Sequence, residues 1–261
     1  MRCAILAGAL LLLTTINANA EIHGLADEGW HTWRVPAVAS APDWCCYNWN
    51  SGVSSPATCV LDSDHISYGN GNDDEVANES GEMQLYVHTR NGEVKRIRAL
   101  SAHCPVETNS QIMDLGPQSA DDSVDWLQSK ISPHSELSSP AIAAIAVHAG
   151  DHARDVLVDN ALHGDDRDTR RDAVFWMGQV RVAETADELK RIINNDDSLD
   201  VRKHAAFSYS QSTADDRFEA LISVVENRQA TEAERKHALF WLAESGDDSA
   251  YTYLDALLAR N

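Results

Sequence analysis

Four cysteines, Cys45, Cys46, Cys59 and Cys104, carry the clearest chemistry in this 261-residue chain. With Cys3 set aside in the expected leader, an even count without a Cys-x-x-Cys pair reads as two disulfides in an oxidising compartment. A bridge between the adjacent Cys45 and Cys46 would distort the peptide joining them. Each of the two therefore reaches one of Cys59 and Cys104, and either order satisfies the sequence. The bridge to Cys104 closes a loop of roughly 60 residues and stabilises the fold by roughly 4 kcal/mol. The other readings are a redox pair or a thiolate metal site. His103 beside Cys104 places a base next to a thiol, but a nucleophile there would need a free cysteine.

The histidines come next. His148 and His152 are four apart, with Asp151 and His163 close by, a spacing that could ligate zinc on one helix. Gly150 lies between them and weakens that helix, so no metal is expected. Trp30, Trp33, Trp44 and Trp49 fall within twenty residues, with Tyr47 among them. Such rings can stack on sugars or peptide side chains, yet a small domain needs the same rings as filling. No Ser-His-Asp order, phosphate loop or helically spaced carboxylate pair emerges. No catalytic residue, metal or cofactor is therefore expected.

Residues 1–20 read as a secretory leader: Arg2, the apolar run Ala4 to Leu13, then Ala18-Asn19-Ala20 before a cut. Its removal takes one base and leaves 20 against 41 acids, a formal charge of −21 where the full chain has −20. So acidic a body repels nucleic acid and anionic lipid, and a partner chosen by charge would be cationic. A periplasmic or secreted location follows, with no membrane insertion.

The rest divides into three. Residues 21–115 read as a small β-rich, disulfide-stapled domain. Met83 to His88 and Glu93 to Leu100 alternate around Asn91-Gly92, the pair preferred in a tight hairpin turn. Tyr68 to Asp74 is a loop with little to bury. Residues 116–138 connect, with a short helix over Asp122 to Lys130.

Residues 139–261 repeat. Arg170-Arg171-Asp172-Ala173-Val174-Phe175-Trp176 returns as Arg202-Lys203-His204-Ala205-Ala206-Phe207, and again as Arg235-Lys236-His237-Ala238-Leu239-Phe240-Trp241. Leu189, Leu221 and Leu254 follow in register, with apolar partners three and four residues on, the spacing of one helix face. A period in the thirties built of two helices means stacked units. Gly178, Ser210 and Ala243 share one small position, where neighbouring helices can approach closely. A degenerate first unit starts at Pro140, making four. The first helix of each unit is apolar over most of its circumference and is expected to be covered on all sides. The Asp-Asp steps, such as Asp165-Asp166 and Asp196-Asp197, fall in turns and read as solvated loops.

With Asp200-Val201-Arg202 opening an Ala-containing amphipathic helix, these units resemble the HEAT-like repeat proteins of the phycobilisome-lyase type. The whole layout also resembles exported proteins with a cysteine-bearing region ahead of such repeats. The resemblance implies an α-solenoid and protein binding rather than a given chemistry. A related repeat enzyme, deoxyhypusine hydroxylase, holds iron through His-Glu pairs. Here Ala205 and Ala238 follow His204 and His237, so that activity does not carry over. Tetrapyrrole lyase activity does not suit an exported acidic chain.

The expected fold is thus an all-α solenoid of about four HEAT-like helix pairs behind the stapled β-rich domain, α+β overall. The expected function is that of a non-enzymatic scaffold for a protein partner. Its contact surface is sought on the second helices, around Glu188, Arg191, Glu219 and Asp255. The alternatives are a metal- or thiol-dependent enzyme using the histidines or cysteines, and carbohydrate binding through the N-terminal tryptophans. Tyr251 and Tyr253 on the last helix suggest weak self-association there.

Overall fold

The computed structural model describes residues 22, 25, 28–50, 53–64, 78 and 80–259; the expected leader and the Tyr68–Asp74 loop lie outside these. The N-terminal part is β-rich. Strand β1 (Glu28–Pro36) is followed by β2 (Cys46–Asn50), β3 (Val53–Ala57), β4 (Cys59–Val60), β5 (Glu82–Arg90), β6 (Glu93–Ser101), β7 (Val106–Glu107) and β8 (Ile112–Pro117). Four of them form a sheet in the order β6-β5-β1-β8, with β1 antiparallel to β5 and parallel to β8. The expected hairpin is present as β5 and β6. Asn91 and Gly92 both take positive φ, 55° and 75°, as a type I′ turn requires.

Strand alternation sends side chains to two different cores. Trp33, Val35, Leu85, Val87 and Ile97 join the helices in one continuous apolar cluster. Trp30, Tyr86, Leu61 and Leu100 face the other way and pack around the four cysteines. Trp30 and Trp33 are 1% and 0% exposed, so both rings serve as filling. Trp44 is buried as well, and the side chain of Trp49 lies outside the described atoms.

Nine helices follow among the described residues: α1 (Ala120–Gln128), α2 (Ser138–Val147), α3 (Asp151–His163), α4 (Arg167–Gln179), α5 (Val182–Asn195), α6 (Leu199–Ser210), α7 (Arg217–Glu226), α8 (Glu232–Glu244) and α9 (Asp248–Leu258). The chain is therefore α+β. None of these helices is long and apolar enough to cross a membrane. From α2 onward they come in pairs. Each first helix packs on the next, α2 on α4, α4 on α6 and α6 on α8, while α3 meets α5 and α5 meets α7. Polar side chains start them where the sequence turns: Asp166 accepts from the Thr169 amide, Ser198 from Val201, and Thr231 closes a reciprocal box with Glu234.

The Asp-rich turns are more than solvated loops, contrary to the sequence reading. Asp166 and Asp247 cap α4 and α9. Asp196 is largely buried and pairs with Arg170, and Asp216 accepts from both Tyr209 and Lys190. These contacts explain the arginine that opens each repeat. Arg170 reaches the Ala161 carbonyl and Asp196, Arg202 reaches the Asp196 carbonyl and Glu234, and Arg235 reaches the Ala230 carbonyl. The first two tie one helix pair to the next.

The junction between sheet and helices is polar at its centre. Buried Trp33 donates its indole N–H to Ser123 Oγ at 2.9 Å, and Ser123 Oγ lies 2.8 Å from His148 Nε2. His148 Nδ1 sits 2.7 Å from the Ala144 carbonyl. Burial, with the nearby Arg181 charge, lowers the imidazole pKa to about 4 despite the Ala144 bond, so His148 is neutral at physiological pH. Arg181 is itself 1% exposed; its guanidinium bonds the Ala146 and His148 carbonyls and meets Glu184 at 2.6 Å.

Candidate functional site

The zinc-like spacing of His148 and His152 does not become a site. Gly150, at φ 97°, separates α2 from α3, so the two histidines stand on different elements. His148 is enclosed in the junction, while His152 lies on the surface 2.8 Å from Asp125.

Aromatic rings instead form a row across the first helices. Trp44 of the N-terminal part meets Trp176 on α4 edge-on, with centroids 5.1 Å apart. Phe175 stands 4.9 Å from Trp176 and 6.3 Å from His204 on α6; His204 in turn is 5.8 Å from Phe207. Phe207 packs 4.5 Å from Trp241 on α8, and Trp241 meets Phe240 at 5.0 Å and His237 at 6.0 Å. The sequence reading had the first helices covered on all sides. Phe175, Trp176, Phe207 and Trp241 are in fact half-buried and Phe240 is 52% exposed, because each ring covers only its neighbour in the row.

Two recesses open along this row. One of about 430 Å³ lies between the Ser40–Trp44 segment and α4–α5, with Phe175, Trp176 and Val182 in its wall. Gln179 also lines it, and its buried Nε2 has no hydrogen-bond partner among the described residues. The second, of about 370 Å³, lies between α4, α6 and α8 and is lined by Arg167, Arg171, Lys203, Asp200 and the rings of His204, Phe207, His237 and Trp241. Of its three cations, Arg167 pairs with Asp200 at 2.8 Å and Arg171 with Asp168 at 3.4 Å. Burial lowers the pKa of both His204 and His237: at His204 the Arg171 charge adds to it, and at His237 burial outweighs the bond to the Lys203 carbonyl, so both imidazoles favour the neutral form.

The second-helix positions are less gathered. Arg191, Glu219 and Asp255 are exposed and Glu188 is half-buried. Arg191 lines a shallow recess of about 270 Å³ with Arg170, Asp196 and Asp197. The repeat-position rings Phe175, Phe207 and Phe240, by contrast, all lie on the aromatic row. The signal for it was in the sequence: three aromatic positions at the repeat period, two of them followed by tryptophan.

The cysteines pair as Cys45–Cys104 and Cys46–Cys59, which settles the order the sequence left open. The first bridge spans 59 residues. Two disulfides fit an oxidising compartment. The Cys45–Cys104 bridge lies against two groups that can hold or move protons. His103 Nε2 is 3.6 Å from Cys45 Sγ and 3.4 Å from Asp43 Oδ1.

No protein-family model matches the chain, and no curated protein matches it either.

Proposed function

We propose that this chain is an exported, non-enzymatic interaction protein in which HEAT-like helix pairs stack as a solenoid and hold a protein partner against the aromatic row. The row carries this reading. Rings left half-exposed across the first helices of three successive pairs are costly in water and are the residue types that anchor protein interfaces. The packing of α2, α4, α6 and α8 on one another, with α3, α5 and α7 behind, supports the solenoid. The unpartnered Gln179 amide beside Trp176 suits a backbone carbonyl of the partner. At long range the acidic surface favours a cationic partner; at contact, Lys203 can donate to a carboxylate of that partner.

The test is capture from an envelope extract by the immobilised wild-type chain and by a Phe240→Ala variant of equal charge, the ring removed being 52% exposed. A partner held by the wild type and lost by the variant supports the row. Equal capture by both removes it, and the exposed positions Arg191, Glu219 and Asp255 on the second helices become the surface to mutate.

A further inference from the structure

Asp43, Cys45, His103 and Cys104 each offer one donor atom, and all four atoms lie within 4.8 Å of one another. Together they are two sulfurs, one imidazole nitrogen and one carboxylate oxygen, a zinc-type donor set. Cys45 Sγ stands 3.6 Å from His103 Nε2 and 3.9 Å from Asp43 Oδ1, and the latter two are 3.4 Å apart. Ordinary zinc bond lengths place tetrahedral donors about 3.3–3.8 Å apart, so these separations are already close to those of a ligand shell.

The arrangement differs from a catalytic relay. In a relay the carboxylate holds one imidazole nitrogen and the thiol faces the other. Here the same atom, His103 Nε2, faces both Asp43 and Cys45, which is convergence on a point. Hydrogen bonds besides the Cys45–Cys104 bond also join the frame. Trp44 N–H donates to Ser101 Oγ at 2.9 Å, Ser101 N–H returns to the Trp44 carbonyl at 3.2 Å, and Cys104 N–H donates to the Ser101 carbonyl at 3.0 Å. These bonds hold the two chain segments side by side, and the Cys46–Cys59 bridge is separate. His103 is half-exposed, which opens a path from solvent.

We propose that the Cys45–Cys104 disulfide is the closed state of a redox-gated zinc site whose ligands are Asp43, Cys45, His103 and Cys104. A dithiol reductant supplies two electrons and two protons: its own thiols join as a disulfide while the Cys45–Cys104 bond opens to two thiols. Zinc binding then releases both thiol protons to solvent and leaves two thiolates on the metal. The His103 Nε2 lone pair and one Asp43 oxygen complete the tetrahedron. Thiol–disulfide exchange with an oxidised disulfide closes the site again: that disulfide takes the two electrons and is reduced to two thiols, the Cys45–Cys104 bond re-forms, and zinc leaves as the divalent ion.

Cobalt(II) reports the site directly, because its visible bands mark tetrahedral geometry and thiolate-to-cobalt charge transfer appears only on binding through sulfur. The full chain is titrated oxidised and after anaerobic reduction with a phosphine, with zinc as competitor and circular dichroism as the check on fold. The expected result is no binding when oxidised and one zinc-displaceable cobalt per reduced chain. His103→Ala and Asp43→Ala, which leave the disulfide in place, each weaken it by about tenfold or more. A Cys46→Ser/Cys59→Ser variant keeps the signal. Equal binding by the oxidised chain, none by the reduced chain, or unchanged affinity in both single variants overturns the site. So does a signal that survives Cys45→Ser/Cys104→Ser, or a reduced chain that unfolds and stays unfolded with zinc present.

Discussion

Glu234, on the first turn of α8, accepts Arg202 Nε from α6 at 2.6 Å while its second oxygen takes the Thr231 amide and hydroxyl at 2.7 and 2.6 Å. One carboxylate therefore both starts a helix and ties two helix pairs together. Its side chain is 9% exposed and that of Arg202 is 19% exposed. Burial by itself would raise the Glu234 pKa. The Arg202 and Thr231 bonds outweigh it and hold the carboxyl at about 2, against an ordinary 4.5.

A depressed carboxyl stabilises the fold above its unfolded pKa and loses that contribution as pH falls through its folded pKa. The Glu234–Arg202 tie is thus fully present above pH 4.5 and is lost between there and about pH 2. In Glu234→Gln the guanidinium stays enclosed without its counter-charge, at a cost on the order of 3 kcal/mol near neutral pH. Urea unfolding at pH 7 reads that loss. Between pH 4.5 and 2 the variant's midpoint falls less steeply than that of the wild type; parallel slopes would mean that this pair does not set the acid limit.

His148 acts in a higher window. Its imidazole stays neutral in the fold down to about pH 4, whereas an unfolded histidine takes a proton near 6.5. Acid therefore favours the unfolded chain between these values. His204 and His237, also lowered by burial, push in the same direction. Unfolding midpoints of the wild type are expected to drop between pH 6.5 and 4. His148→Gln starts less stable, because the bonds to Ser123 and Ala144 are not both replaced, but declines more gently across that window. A decline as steep as in the wild type would assign the effect to other groups.

Gly178 sits where α4 and α6 come close. A Cβ built there meets the Ser208 hydroxyl and lies 2.7 Å from the Ser208 carbonyl oxygen, which a rotamer change cannot move. Ser208 Oγ donates into the same contact, to the Val174 and Phe175 carbonyls at 3.0 and 2.9 Å. Gly178→Ala must push the helices apart and is expected to cost about 1–3 kcal/mol. Ala243, at the matching repeat position, is exposed, and Ala243→Leu should leave the melting temperature nearly unchanged. Thermal unfolding of the two variants side by side checks the contrast.

What could be read from the sequence was local or periodic. The Asn91-Gly92 turn fixed its own hairpin, and the Arg-to-Phe blocks at the repeat period marked the helix pairs. Strands β1 and β8 were missed because they pair in parallel across some eighty residues, and β1 is buried on both faces, His31 and Thr32 included, so it shows no alternation. The disulfide order depended on where the end of β6 meets the Asp43–Cys46 segment. The convergence of Asp43 and His103 on one sulfur depends on the same meeting, and no spacing in the sequence encodes it. The row of rings had a visible period, but its exposed side is set by how α4, α6 and α8 stack.

Within that row, stability and binding should separate along its length. Phe207 packs on Trp241 and is half-buried, so Phe207→Ala should lose roughly half of the 3–5 kcal/mol typical of a fully buried phenylalanine. Phe240 stands at the open end, 52% exposed, and Phe240→Ala should stay within about 0.5 kcal/mol of the wild type. If the row is the contact surface, the same Phe240→Ala change removes an anchor from the complex. Loss of about 2 kcal/mol, roughly thirtyfold in Kd, is the size such anchors show. Calorimetric titration of the captured partner against both variants reads the two effects apart. An affinity unchanged in Phe240→Ala would place the contact elsewhere on the helices.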